Sequence, residues 1–84
     1  MNTEHYIGID VSSETLDVAL LDGKETHLES VQVSNERKAV WRLIKEWGKR
    51  HGVQPDKSLI CLEPTGHYSR MILELVVEQA WPTV

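Results

Sequence analysis

Two carboxylates stand where this 84-residue chain could do chemistry. Asp10 closes the short apolar run His5-Tyr6-Ile7-Gly8-Ile9, and Glu63 closes Ser58-Leu59-Ile60-Cys61-Leu62. Turn-forming residues follow both, Val11-Ser12-Ser13-Glu14 after the first and Pro64-Thr65-Gly66 after the second. Apolar runs of this length bounded by turn signals read as strands. If the two strands are parallel neighbours, both carboxylates emerge at the same sheet edge, where open α/β sheets bind their ligands. Two like charges there repel unless something neutralises them. A hard divalent cation such as Mg²⁺ does so through oxygen ligands, and it can activate water or polarise a phosphodiester. Each acid also has a plainer reading. Asp10 could be a turn acid bonding backbone N–H groups, and Glu63 a solvated residue ahead of a proline turn.

The elements that must position these groups follow from the hydrophobic period. Thr15–Leu21 places Leu16, Val18 and Leu20 on one side, the alternation of a half-buried strand. Asp22-Gly23 is a two-residue hairpin signal, with glycine expected to take the positive φ. Lys24–Val33 alternates more loosely, so the first half reads as a three-stranded antiparallel meander. The period then changes. Ser34 or Asn35 can cap a helix running to about His51, with Gly52 as its stop. Val40, Leu43, Ile44 and Trp47 share one face of it, and Lys38, Arg42, Lys45 and Lys49 form a stripe opposite. Trp47 is expected in the core, with Trp41 and Trp81 partly covered. Ser58–Leu62 reads as a strand covered on both faces, which makes Cys61 a small core residue. A second helix, from about His67 to Gln79, is apolar nearly all round and is expected to be heavily buried. Trp81-Pro82-Thr83-Val84 then looks like the start of a fifth strand.

The resulting order is β-β-β-α-β-α-(β) on one mixed α/β sheet. No linker or repeat divides residues 1–84, so one domain is expected. A natural terminus usually trails into polar residues, and this one stops inside an apparent strand. The chain therefore reads as the N-terminal part of a domain. A Trp81 left at an exposed edge would favour dimers through edge pairing.

Composition narrows the function classes. One cysteine excludes a disulfide framework and a four-cysteine zinc site, and fits a reducing, cytoplasmic setting. There is no basic N-terminal leader, and Met71–Val77 is cut by Glu74, so neither secretion nor a membrane span is expected. The net charge of −4 argues against nucleic-acid binding by bulk electrostatics. That charge is uneven. Residues 34–52 carry six basic residues and two acids, a local +4, against −8 for the remainder (three basic, eleven acidic). The stripe Lys38/Arg42/Lys45/Lys49 could lie along phosphates, or be a solvated helix face. Thr65 and Gly66, ahead of a helix, could bind an anion or form a capping turn, with His67 as a further nucleic-acid contact. Ser12 and Ser13 lack a neighbouring base and read as turn residues.

Two blocks carry a family resemblance. Ile7-Gly8-Ile9-Asp10-Val11-Ser12 with Glu14-Thr15-Leu16-Asp17-Val18-Ala19, and Cys61-Leu62-Glu63-Pro64-Thr65-Gly66-His67-Tyr68-Ser69, resemble the N-terminal motifs of the DEDD-type transposases of bacterial insertion sequences. That family includes the pilin-gene-inverting recombinase Piv. The resemblance implies an RNase H-like (RuvC-like) fold, with Asp10 and Glu63 as the first two catalytic, metal-binding members of a D-E-D-D tetrad. It implies Mg²⁺ as cofactor, with DNA and a guide RNA as partners of a homo-oligomeric, nucleoid-associated enzyme. The other two aspartates and a serine-bearing C-terminal domain are expected downstream, so these residues alone should be inactive. Two rivals stand beside this reading. An actin-like ATPase or sugar-kinase piece also opens on a strand ending in Gly-x-Asp, but it needs glycine soon afterwards to approach phosphate, and Val11–Glu14 has none. A non-catalytic dimerisation module is the other.

Overall fold

The computed structural model describes residues 3–63 and 66–83. Strands β1 (His5–Val11), β2 (Thr15–Asp22) and β3 (His27–Ser34) lead into helix α1 (Arg37–His51). A 3-10 turn at Pro55–Lys57 precedes β4 (Ser58–Glu63), and a second at Gly66–Ser69 precedes helix α2 (Arg70–Gln79). The sheet order is β3-β2-β1-β4, with β4 parallel to β1 and the other pairs antiparallel. Past α2, the Ile60 N–H donates to Pro82 O at 2.9 Å, and Thr83 bridges Ile60 in parallel. A fifth strand thus begins beside β4, as expected for Trp81–Thr83; Val84 lies outside the described residues.

Strand side chains alternate between faces, and burial follows one parity. Ile7, Ile9 and Val11 of β1, Leu16, Val18 and Leu20 of β2, and Ile60 of β4 are buried. They pack with Val40, Leu43 and Trp47 of α1 and with Ile72, Leu75 and Val76 of α2. Both helices therefore cover the same face, and the described residues leave the opposite face open. This corrects the reading of β4 as covered twice. Cys61 is exposed rather than a core residue, because it points to the uncovered side.

Other local expectations are corrected too. The β2–β3 connection spans four residues, 23–26, rather than two, and in it Glu25 N–H donates to Asp22 O and Asp22 N–H to Thr26 O. Glu25, not Gly23, takes the left-handed conformation (φ 66°). Gly23 serves another need: a Cβ there would lie 3.0 Å from Thr3 O. The Asp22 carboxyl accepts from the N–H groups of Thr26 and Lys24, which hold its pKa below the usual carboxylate value. Glu36 is the α1 N-cap and makes no side-chain cap bond; Gly52 ends the helix in the left-handed region (φ 69°), as expected. Helix α2 begins at Arg70 and is not buried all round, since Leu73 and Val77 are exposed. Trp47 is fully buried, as expected. Trp81, expected to be only partly covered, is buried instead.

Candidate active site

The parallel register of β1 and β4 makes Asp10 and Glu63 direct neighbours. Both side chains belong to the open face, because Ile9 and Val11 on one side and Leu62 on the other take the covered one. The juxtaposition that the sequence left conditional is met. Neighbouring strands lie about 4.7–4.9 Å apart, so one cation can bridge two such carboxylates.

The row extends further. Asp10 faces Asp17 on β2, and Asp17 faces Gln32 on β3. Gln32 Nε2 donates to Asp17 Oδ1 at 3.0 Å, which ties that carboxylate to the edge strand. Glu63, Asp10, Asp17 and Gln32 thus cross the sheet in one line, all exposed. Beside it runs a second row of small residues, Cys61, Gly8, Ala19 and Ser30, also in register. The two rows line an open groove of about 590 Å³. Asp17 was missed as a site residue, yet its signal was present. A short turn pairs Val11 with Leu16, and the inward parity of Leu16 and Val18 then forces Asp17 outward beside Asp10.

The loops at this end are tied together by Asn35. Its Nδ2 donates to Ser12 O at 2.9 Å and to Tyr68 O at 3.0 Å. One amide thereby joins the β1–β2 turn, the start of α1 and the turn ahead of α2. Sequence reasoning read Asn35 as a helix cap, because those partners are remote in the chain. Ser12 has the turn role expected of it, its Oγ donating to Thr15 O at 2.9 Å.

The remaining residues singled out from the sequence are not gathered here. Lys38, Arg42, Lys45 and Lys49 line the exposed side of α1, the helix that packs on the covered face. Thr65 and the side chain of His67 lie outside the described residues; Gly66 opens the 3-10 turn. Among the described residues, no three His, Cys, Asp or Glu side chains converge closely enough to hold a metal ion. Asp10 and Glu63 nevertheless present charged oxygen atoms, the donor type that a hard cation takes.

The mixed sheet of this order has an RNase H-like fold, and solved structures agree on it. A Bacteroides thetaiotaomicron protein with an actin-like ATPase fold and unknown function aligns with TM-score 0.66 and 13% identity, covering 99% of this chain and 33% of that one. The Argonaute of Marinitoga piezophila, solved with a 5′-OH guide RNA, aligns with TM-score 0.56 and 16% identity, over 94% of this chain and 15% of its own. The chain thus spans about a third of the first of these two solved proteins and less of the second. No curated protein matches it. The family model of the IS110-type DEDD transposases, described as a transposase, matches residues 7–84. The chain belongs to that transposase family.

Proposed function

We propose that this chain supplies the first part of a metal-dependent active site that cleaves and transfers DNA strands. The observation that carries this is the register of β1 with β4, which sets Asp10 beside Glu63 on the open face. Their carboxylates would hold Mg²⁺, together with the two further aspartates that the family resemblance implies. When bound, the cation supplies positive charge against the scissile phosphate and the leaving oxygen. Asp17, held by Gln32, adds negative field that favours a cation at the neighbouring carboxylates. The small side chains of Gly8, Ala19, Ser30 and Cys61 leave space above the sheet for a backbone to approach. A guide RNA is a partner of the complete enzyme in this reading, and residues 1–84 form part of one catalytic domain.

The test compares the complete protein with its Asp10→Asn and Glu63→Gln variants for Mg²⁺-dependent strand cleavage and recombination. Both variants are expected to fold and to lose activity by about 10³-fold or more, the scale on which removal of a key electrostatic group acts. Folded variants with full activity would remove the tetrad assignment. Nucleotide binding in calorimetry, with no cleavage, would favour an ATPase reading instead.

A further inference from the structure

The outer side of α1 carries a feature that neither the carboxylate row nor the core uses. Six cations stand within residues 34–52, and the structure divides them. Arg37 pairs with Glu78, and Arg50 with Glu29 and Glu46. Lys38, Arg42, Lys45 and Lys49 are exposed and make no ion pair among the described residues. Their spacing of four, three and four residues sets them in one stripe along the helix, about 16 Å long at 1.5 Å per residue.

Trp41 stands beside this stripe, 41% exposed. The ring is not loose. It meets Trp81 edge to face, with centroids 5.4 Å apart and planes at 71°, and Trp81 is itself packed in the core. Trp41, Arg42, Ile44 and Lys45 line a groove of about 530 Å³. A braced, exposed indole next to unneutralised cations is the arrangement that binds a nucleic-acid strand by stacking a base and pairing its phosphates. A duplex keeps its base faces inside its own stack and would leave the indole unused. An acidic peptide would meet the cations but offer the ring nothing comparable, and one indole with Ile44 is a small apolar face for a lipid surface.

We propose that this face of α1 binds an unpaired stretch of single-stranded DNA, with a base on Trp41 and phosphates on Arg42 and Lys45, continuing along Lys38 and Lys49. The choice of DNA over RNA rests on the transposase assignment alone, and the oligouridine competitor tests it separately from the surface itself. The surface lies on the far side of the sheet from Asp10 and Glu63, so cleavage can be lost while this binding persists.

The experiment is a fluorescence-anisotropy titration of the whole chain with labelled oligothymidine of about 12 nucleotides, within the span of one single-strand-binding module. A duplex of equal length and an oligouridine serve as competitors. Trp41→Leu is expected to weaken oligothymidine binding about 5- to 150-fold, while Trp41→Phe keeps most of the affinity. Arg42→Gln with Lys45→Gln is expected to flatten the salt slope of log K by about 1.4. Circular dichroism checks each fold, and if Trp41→Leu unfolds, Trp41→Phe and the salt slope still decide. The proposal is overturned if the wild type does not bind, if Leu binds as well as Trp, or if Phe loses as much as Leu. It is equally overturned if duplex or RNA binds more tightly than the single DNA strand, or if the salt slope is unchanged.

Discussion

The two faces of the sheet are built from the same four strands and are opposite in kind. On the covered face, Ile7, Leu16, Leu20 and Ile60 are almost wholly buried beneath α1 and α2. On the open face, one residue along in every strand, Glu63, Asp10 and Asp17 stand side by side with Gln32. Packing stabilises the first, whereas the second sets like charges together at a cost. A strand's two-residue period therefore lets one segment support the fold and carry chemistry at once.

The largest effect that tests this contrast comes from the covered face. Trp47→Ala removes the largest fully buried side chain and is expected to cost about 3–5 kcal/mol, a large share of a small domain's stability. Urea denaturation followed by circular dichroism would show the variant largely unfolded. A small shift in midpoint would mean that the covered face is not where stability resides.

Between the faces stands Asn35, which ties the loops at the carboxylate end. Asn35→Ala loses two hydrogen bonds to carbonyls and is expected to destabilise by about 1 kcal/mol. Hydrogen exchange should rise at the turns around Ser12 and Tyr68 more than in the β2–β3 hairpin. An even rise across the chain would show that the amide is no local clamp.

Asp10→Asn should move stability the other way. It removes one charge from a row of like charges, so the unfolding free energy from urea denaturation is expected to rise by about 0.2–1 kcal/mol at low salt without divalent cation. The same variant is expected to lose activity in the complete protein. A stability loss instead would mean that Asp10 braces its turn.

The smallest effect concerns Glu29, at the covered-side margin of β3. Its carboxylate accepts from Arg50 at 2.6 Å and His51 at 3.0 Å, and chiefly the Arg50 contact holds its pKa below the usual carboxylate value. A depressed native pKa means that the unfolded chain binds the proton more readily. The stabilisation is therefore present above the ordinary glutamate range and is lost as pH falls through the lower, native value. Denaturation midpoints measured against pH should lose part of their acid slope in Glu29→Gln. An identical slope would assign the pair no net effect, as for many exposed ion pairs.

How far the sequence could be read varied with the reach of each interaction. The strand alternation of Leu16, Val18 and Leu20 and the α1 face of Val40, Leu43 and Trp47 were legible, because both periods are local. Apolar runs misled where every residue could have been buried. Cys61, Leu73 and Val77 are exposed because of which neighbours pack nearby, and an apolar run does not name its neighbours. Asn35 was read as a cap because its partners, Ser12 and Tyr68, are far away in the chain. Asp17 could have been found by following the register across the first turn.

By itself, then, the sequence determined the strands, the outward parity of Asp10, the cation stripe of α1 and the family motifs around Asp10 and Glu63. Each follows from backbone geometry repeating over a few residues. Only the tertiary structure decided that β4 lies parallel to β1 in the register that sets Glu63 beside Asp10. It also decided that Trp81 would brace an exposed Trp41. Those outcomes depend on helices packing across one face of the sheet, and no local period encodes that.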